Sequence, residues 1–145
     1  MNTAWNRARL LITTAWVGSI WTIGYLVAPT LFKTLADSAL AGTIAGQLFM
    51  VEAWFSVFCG VLLTGISVRQ HRQLPRLVLG MLLCTMLGYF ALHPYMTDLK
   101  ALGLSNPDVK WQFGVLHGIS SGIYLMQSIL GAMLVLSGLF KPEAG

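Results

Sequence analysis

The run GTIAGQLFMVEAWFSVFCGVLLTGISV, residues 42–68, carries one charged side chain, Glu52, in an otherwise apolar stretch. At ~1.5 Å of rise per helical residue it exceeds the ~30 Å hydrocarbon core of a bilayer. Three further stretches, residues 10–32, 77–92 and 111–140, contain no Asp, Glu, Lys or Arg at all. The shortest, 77–92, nearly spans if flanking residues help. The four together predict an all-α, integral membrane four-helix bundle in up-down-up-down order, a single transmembrane domain over residues 1–145.

Composition agrees, since 56% hydrophobic and only 10% charged residues lie far from a soluble domain. The mean hydropathy of +0.71 points the same way. Arg7 and Arg9 before an apolar run also fit a secretory signal, with Ala39-Leu40-Ala41 as a cleavage site. The run over 10–32 is longer than the ~7–15 residue apolar core of such a signal, so the first helix is read as retained.

Basic residues set the orientation. Arg7, Arg9, Arg69, Arg72, Arg76 and Lys141 lie on one side, and Lys33, Lys100 and Lys110 on the other. The positive-inside rule then puts both termini in the cytoplasm, as in a bacterial inner-membrane protein. The net charge of +4 is accounted for by this topology, and no nucleic-acid motif accompanies it. Residues 70–75 read as an inner turn containing a solvated His71, and Asp37 with Ser38 as a cap for the second helix. Pro29 predicts the end or a kink of the first helix. The stretch 94–110 reads as an outer loop with a short interfacial helix near 99–104. Trp5 and Trp111 suit the two water interfaces.

Gly114, Gly118 and Gly122 recur every four residues, and Gly42 and Gly46 form a shorter pair. These stripes allow close approach of another helix, in the bundle, in a second copy, or in a membrane-protein partner. The polar residues are more informative, because each must find a partner, water or a ligand inside the membrane. Glu52 falls near mid-membrane, with Ser56 and Cys59 on the same helical face. His93 is placed at the outer end of helix 3, with Tyr89 one turn below, and His117 in the outer half of helix 4 on a face shared with Ser121, Tyr124 and Ser128. Cys59 and Cys84 both fall in the inner half. They form no C-x-x-C motif and read as packing residues.

Helix 1 contains Trp16, Gly18, Trp21, Gly24-Tyr25, Ala28-Pro29 and Leu31-Phe32, and helix 4 contains His117-Gly118-Ile-Ser120-Ser121. These segments resemble an uncharacterised bacterial membrane family, domain of unknown function 4149, related to eukaryotic transmembrane protein 205. That resemblance implies a four-helix membrane protein over the whole chain and, through the eukaryotic branch, a link to metal handling. The helix 1 pattern more distantly resembles the HemJ-type haem-containing oxidases and the CopD-type copper-resistance proteins. Those families carry a histidine ahead of the tryptophan. Residues 10–15 here contain none, which leaves His93 and His117 as the candidates.

Three functional classes follow. In the first, His93, His117 and Glu52 line an outer-leaflet site that binds a ligand, a metal ion foremost, or serves transport. In the second, His93 and His117 are axial ligands of a haem b, in a pocket shaped by Tyr25, Tyr89 and Tyr124, and the protein is a membrane oxidoreductase. In the third, the chain is a structural or accessory subunit whose glycine stripes dock a partner. No G-x-S-x-G, P-loop or H-E-x-x-H motif supports hydrolase or phosphoryl-transfer chemistry.

Overall fold

The computed structural model describes residues 3–67 and 73–139, all in helices or the short turns between them. Four helices are long and apolar enough to cross a membrane: Ala4–Thr34, Ser38–Ile66, Pro75–Leu102 and Pro107–Ser137. The chain is thus an all-α four-helix membrane bundle, with lipid as its surroundings. Arg69, His71, Arg72 and Lys141, on which much of the orientation argument rests, lie outside the described residues.

The first span is α1 (Thr3–Trp21), a π-helical segment (Thr22–Val27) and α2 (Ala28–Thr34). The second is α3 (Ser38–Ser67). The third is α4 (Gln73–Thr85), a second π-helical segment (Met86–Ala91) and α5 (Leu92–Leu102), and the fourth is α6 (Pro107–Leu139). Short connections make consecutive spans antiparallel. Each span packs against its two neighbours in the ring, α1 on α3, α3 on α4, α4 on α6 and α6 back on α1, whereas among the described residues the backbones of diagonal spans stay apart.

Proline does not end the first or third helix. Pro29 sits in the first turn of α2, where a missing N–H breaks no helical bond. The turn before it widens to π-helix, so that the Ala28 N–H donates to Ile23 O, five residues back. Pro94 repeats the solution. It lies in the first turn of α5, behind a π-helical segment in which the Leu92 N–H reaches Leu87 O. The expected outer loop over 94–110 therefore shrinks to residues 103–106, and the interfacial helix near 99–104 is instead the end of the third span. Gly103 closes that helix with a φ of 93°, a left-handed conformation that favours glycine, and donates its N–H to Lys100 O. Asn106 then caps α6 through the Asp108 N–H at 3.0 Å, and Asp37 caps α3 through the Ala39 N–H at 2.8 Å, as its sequence position predicts.

The core fills one half of the bundle. Trp16, Val17 and Ile20 of α1, Cys59 and Leu63 of α3, Val78 and Met81 of α4 and Leu134 of α6 are all at most 2% exposed. Gly60 admits the Leu82 side chain, and Gly131 admits Val17, so these two glycines close the helix pairs. In the other half the bundle opens. There α2 stays with α3 and α5 stays with α6, while the backbones of α2 and α6, and those of α5 and α3, draw apart. Two hairpin arms diverge, with a cavity between them.

Candidate functional site

The cavity between the arms has a volume of about 410 Å³, a size that suits a small organic molecule. Every span contributes to it: Tyr25, Pro29 and Phe32 from the first, Gly46, Phe49 and Glu52 from the second, Cys84, Tyr89 and His93 from the third, His117, Tyr124 and Gln127 from the fourth. Both π-helical segments face it, each through a Gly-Tyr pair, Gly24-Tyr25 and Gly88-Tyr89. Widened turns of this kind re-aim side chains and recur at functional sites.

Depth follows from helix position. Lys100, near the end of α5, reaches inward to within 3.8 Å of the position a Gly42 Cβ would take, so it stands at the mouth of the cavity. His93 lies a turn and more deeper, its Nε2 3.8 Å from the corresponding point at Gly46. Gly42 and Gly46 are thus the glycines that leave room for a lysine and an imidazole. From Gly42 to Glu52 the helix descends roughly 15 Å at 1.5 Å per residue, which puts Glu52 at the floor.

The floor is a buried polar layer. Glu52 is 4% exposed, and its Oε1 accepts a hydrogen bond from Ser56 Oγ at 2.7 Å. Ser56 in turn accepts from the Trp16 indole N–H at 2.7 Å, tying the first span to the second. Across the floor, Gln127 Nε2 donates to Thr85 Oγ1 at 3.0 Å, tying the fourth span to the third. Glu52 Oε2 takes no hydrogen bond from any described residue, yet it is not among the sealed polar atoms, so it is open to the cavity. Below this layer the Trp16, Leu63, Met81 and Leu134 core closes the way.

Aromatic rings make up much of the wall. Tyr124 meets Phe49 edge-on at 5.4 Å between centroids and Tyr25 at 6.0 Å. A Cβ at Gly24 would fall within the Tyr124 ring, so glycine is what admits that ring against the first π-helical segment. The Tyr124 hydroxyl donates to Ile20 O at 2.5 Å, and the Tyr25 hydroxyl donates to Ser128 Oγ at 2.8 Å. These two tyrosines therefore staple the first span to the fourth as well as lining the cavity. Nearer the mouth, Tyr89 stacks on His93 at 4.7 Å and Phe113 on His117 at 5.9 Å, with the Lys100 ammonium 5.4 Å from the Phe113 centroid.

Glu52, His93, His117, Tyr25, Tyr89 and Tyr124 all border this one cavity. Their arrangement differs in three ways from the sequence expectation. His93 is not at a helix end, because the third span continues nine residues beyond it, to Leu102. His117 is largely exposed at the cavity edge. Among the described residues no three His, Cys, Asp or Glu side chains come together as a metal-binding group, so His93, His117 and Glu52 are not a preassembled metal triad. The two cysteines also separate: Cys59 belongs to the sealed core, whereas Cys84 borders the cavity. Gln127, Thr85 and the Trp16 indole are parts of the floor that sequence reading did not single out. The signal for the π-helical turns was present as a paired pattern, Gly24-Tyr25 four residues before Pro29 and Gly88-Tyr89 five residues before Pro94.

The glycine stripe of α6 is not used inside the bundle. A Cβ at Gly114, Gly118 or Gly122 would meet nothing within 4 Å, and all three positions are exposed.

Comparison with known proteins places the chain in a family. The model of a family described as a domain of unknown function (DUF4149) matches residues 11–105, which hold the first three spans with Gly24, Tyr25, Pro29, Glu52, Gly88, Tyr89 and His93. No curated protein and no solved structure matches the chain.

Proposed function

The chain belongs to the DUF4149 family, and on the geometry above we propose that it is a membrane-embedded binding protein whose cavity takes a small, largely apolar organic molecule from the outer side of the membrane. One observation carries this reading: an aromatic-walled space of about 410 Å³ ends on a buried carboxylate with one oxygen uncommitted. A buried polar atom left open in a dry place is costly unless something arrives to meet it. The apolar walls supply affinity and the floor supplies orientation, which is how small-molecule sites divide the work.

Binding fits better than conduction. The sealed core below Glu52 separates the cavity from the opposite side, and a monomer has no second, inverted half to open it. An organic ligand also fits better than a metal ion, given the lack of a three-ligand group among the described residues. A haem reading has its weakest point at His117, which is exposed on the cavity edge.

The test is native mass spectrometry of protein released gently from its membranes, beside Gly46→Leu. Leucine at 46 projects into the cavity next to His93. The reading expects a discrete small-molecule adduct on the wild type that the variant lacks; identical spectra, with the variant still folded, would overturn it.

A second reading, an accessory subunit, is favoured by the free Gly114, Gly118 and Gly122 face of α6. Such a smooth face suits close helix docking. Co-purification of a stoichiometric membrane partner that Gly118→Leu releases would support it.

A further inference from the structure

Among the described residues Glu52 is the only carboxylate bordering the cavity, and at 4% exposure it is more than nine-tenths buried. Its Oε1 is held by Ser56, and its Oε2 faces the open space. Among the described residues the only lysine of the cavity is Lys100 of α5, at the opposite end beside Gly42, roughly 15 Å from Glu52 along α3. An ionised carboxylate at the floor thus has no cation beside it among the described residues lining the cavity. Beside it stand rings with electron-rich faces: Phe49, three residues earlier on the same helix, packed edge-on with Tyr124, which is packed edge-on with Tyr25. Aromatic faces attract cations, the more so away from water.

Building on the ligand-binding reading above, we infer that the occupant is a lipophilic organic cation, its positive centre paired with Glu52 Oε2 and its apolar groups against Phe49, Tyr124 and Tyr25. Metal cations fit poorly, because one carboxylate, with the nearby Ser56, Thr85 and Gln127 already bonded within the protein, offers too few oxygen ligands to replace their hydration shell. A diffuse organic cation carries no such shell to lose. The other basic groups facing the cavity, Lys100, His93 and His117, belong to its upper part. Lys100 at the mouth acts through water and salt, over more than one Debye length of ~8 Å, whereas the pairing at the floor is formed at a carboxylate only 4% exposed, where charges interact more strongly than at the surface.

The test is equilibrium binding of radiolabelled tetraphenylphosphonium to the purified full chain in detergent. Tetraphenylborate, of the same shape and opposite charge, serves as competitor, and Glu52→Gln, Glu52→Asp and Gly46→Leu are compared. Gln keeps an acceptor for Ser56 while removing the charge, and Asp keeps the charge. The expected result is saturable binding, weak competition by tetraphenylborate, a loss of tenfold or more in Glu52→Gln, most affinity retained in Glu52→Asp, and none left in Gly46→Leu. Glu52→Gln within twofold of the wild type while Gly46→Leu fails to bind would overturn the cation pairing and leave the cavity reading standing. Binding indifferent to Gly46→Leu would overturn the cavity reading itself. Preference for tetraphenylborate, or no binding of tetraphenylphosphonium to the wild type, would overturn the cation class.

Discussion

Removing the Ser56 hydroxyl tests the floor of the cavity most economically. Ser56 is 0% exposed, accepts from Trp16 Nε1 and donates to Glu52 Oε1, both at 2.7 Å. Ser56→Ala deletes one oxygen and leaves two orphans, an indole N–H that is itself at 0% exposure and a carboxylate oxygen. Hydrogen bonds between membrane helices are worth ~0.6 kcal/mol on average and up to ~1.7. Two lost bonds therefore cost about 1–3 kcal/mol. The size-matched control is Cys59→Ala, which removes a buried thiol of the apolar core. The assay is reversible unfolding in mixed micelles with rising dodecyl sulfate, followed in a double-mutant cycle with Trp16→Phe. Once Phe has removed the indole donor, Ser56→Ala should cost less, with a coupling of about 0.6–1.7 kcal/mol. A coupling within ~0.3 kcal/mol of zero would refute the Trp16–Ser56–Glu52 chain as a structural unit.

Other perturbations separate packed glycines from free ones and fix the orientation. Gly24→Ala drives a methyl group into the Tyr124 ring and should lower stability by ~1–3 kcal/mol in the same assay. Gly118→Ala, which meets nothing, should stay within ~0.5 kcal/mol of the wild type. Gln127→Leu removes the donor to Thr85 and should cost ~0.6–1.7 kcal/mol, largely absent in a Thr85→Val background. By the basic-residue count, a cysteine placed at the exposed Trp111 should react with an impermeant maleimide added outside intact cells, and one at Trp5 should react only after lysis.

The spans were legible because membrane helices announce themselves by length and hydropathy. Which side of each helix faces inward was not. Lipid and bundle core are both apolar, so no periodicity distinguishes them. That is why the Gly114, Gly118 and Gly122 stripe, readable as a packing seam, turns out to face away from the bundle, and why His117 is at the cavity edge rather than inside it. Glu52 was legible as a buried carboxylate that needs a partner, and the structure puts it at the cavity floor with Ser56. Gln127 and Thr85 escaped notice because each satisfies the other across a helix pair, a relation that only tertiary structure creates. Pro94 was misread as a helix end. Its neighbour in logic, Pro29, shows the reason: a π-helical turn upstream lets an α-helix restart with proline in its first turn, and a propensity argument has no term for that register shift.

The cavity is open toward the mouth and closed by the core below Glu52, and the two native cysteines report on the two regions. Cys84 borders the cavity, and Cys59 lies in the core beneath it at 2% exposure. The measurement is the rate at which a small membrane-impermeant methanethiosulfonate modifies each of them in the folded protein, read by mass spectrometry on Cys59→Ser and Cys84→Ser variants. Cys84 should be modified, Gly46→Leu should slow this, and Cys59 should stay protected until the protein unfolds. Modification of Cys59 as fast as Cys84, or a Cys84 rate indifferent to Gly46→Leu, would contradict this arrangement.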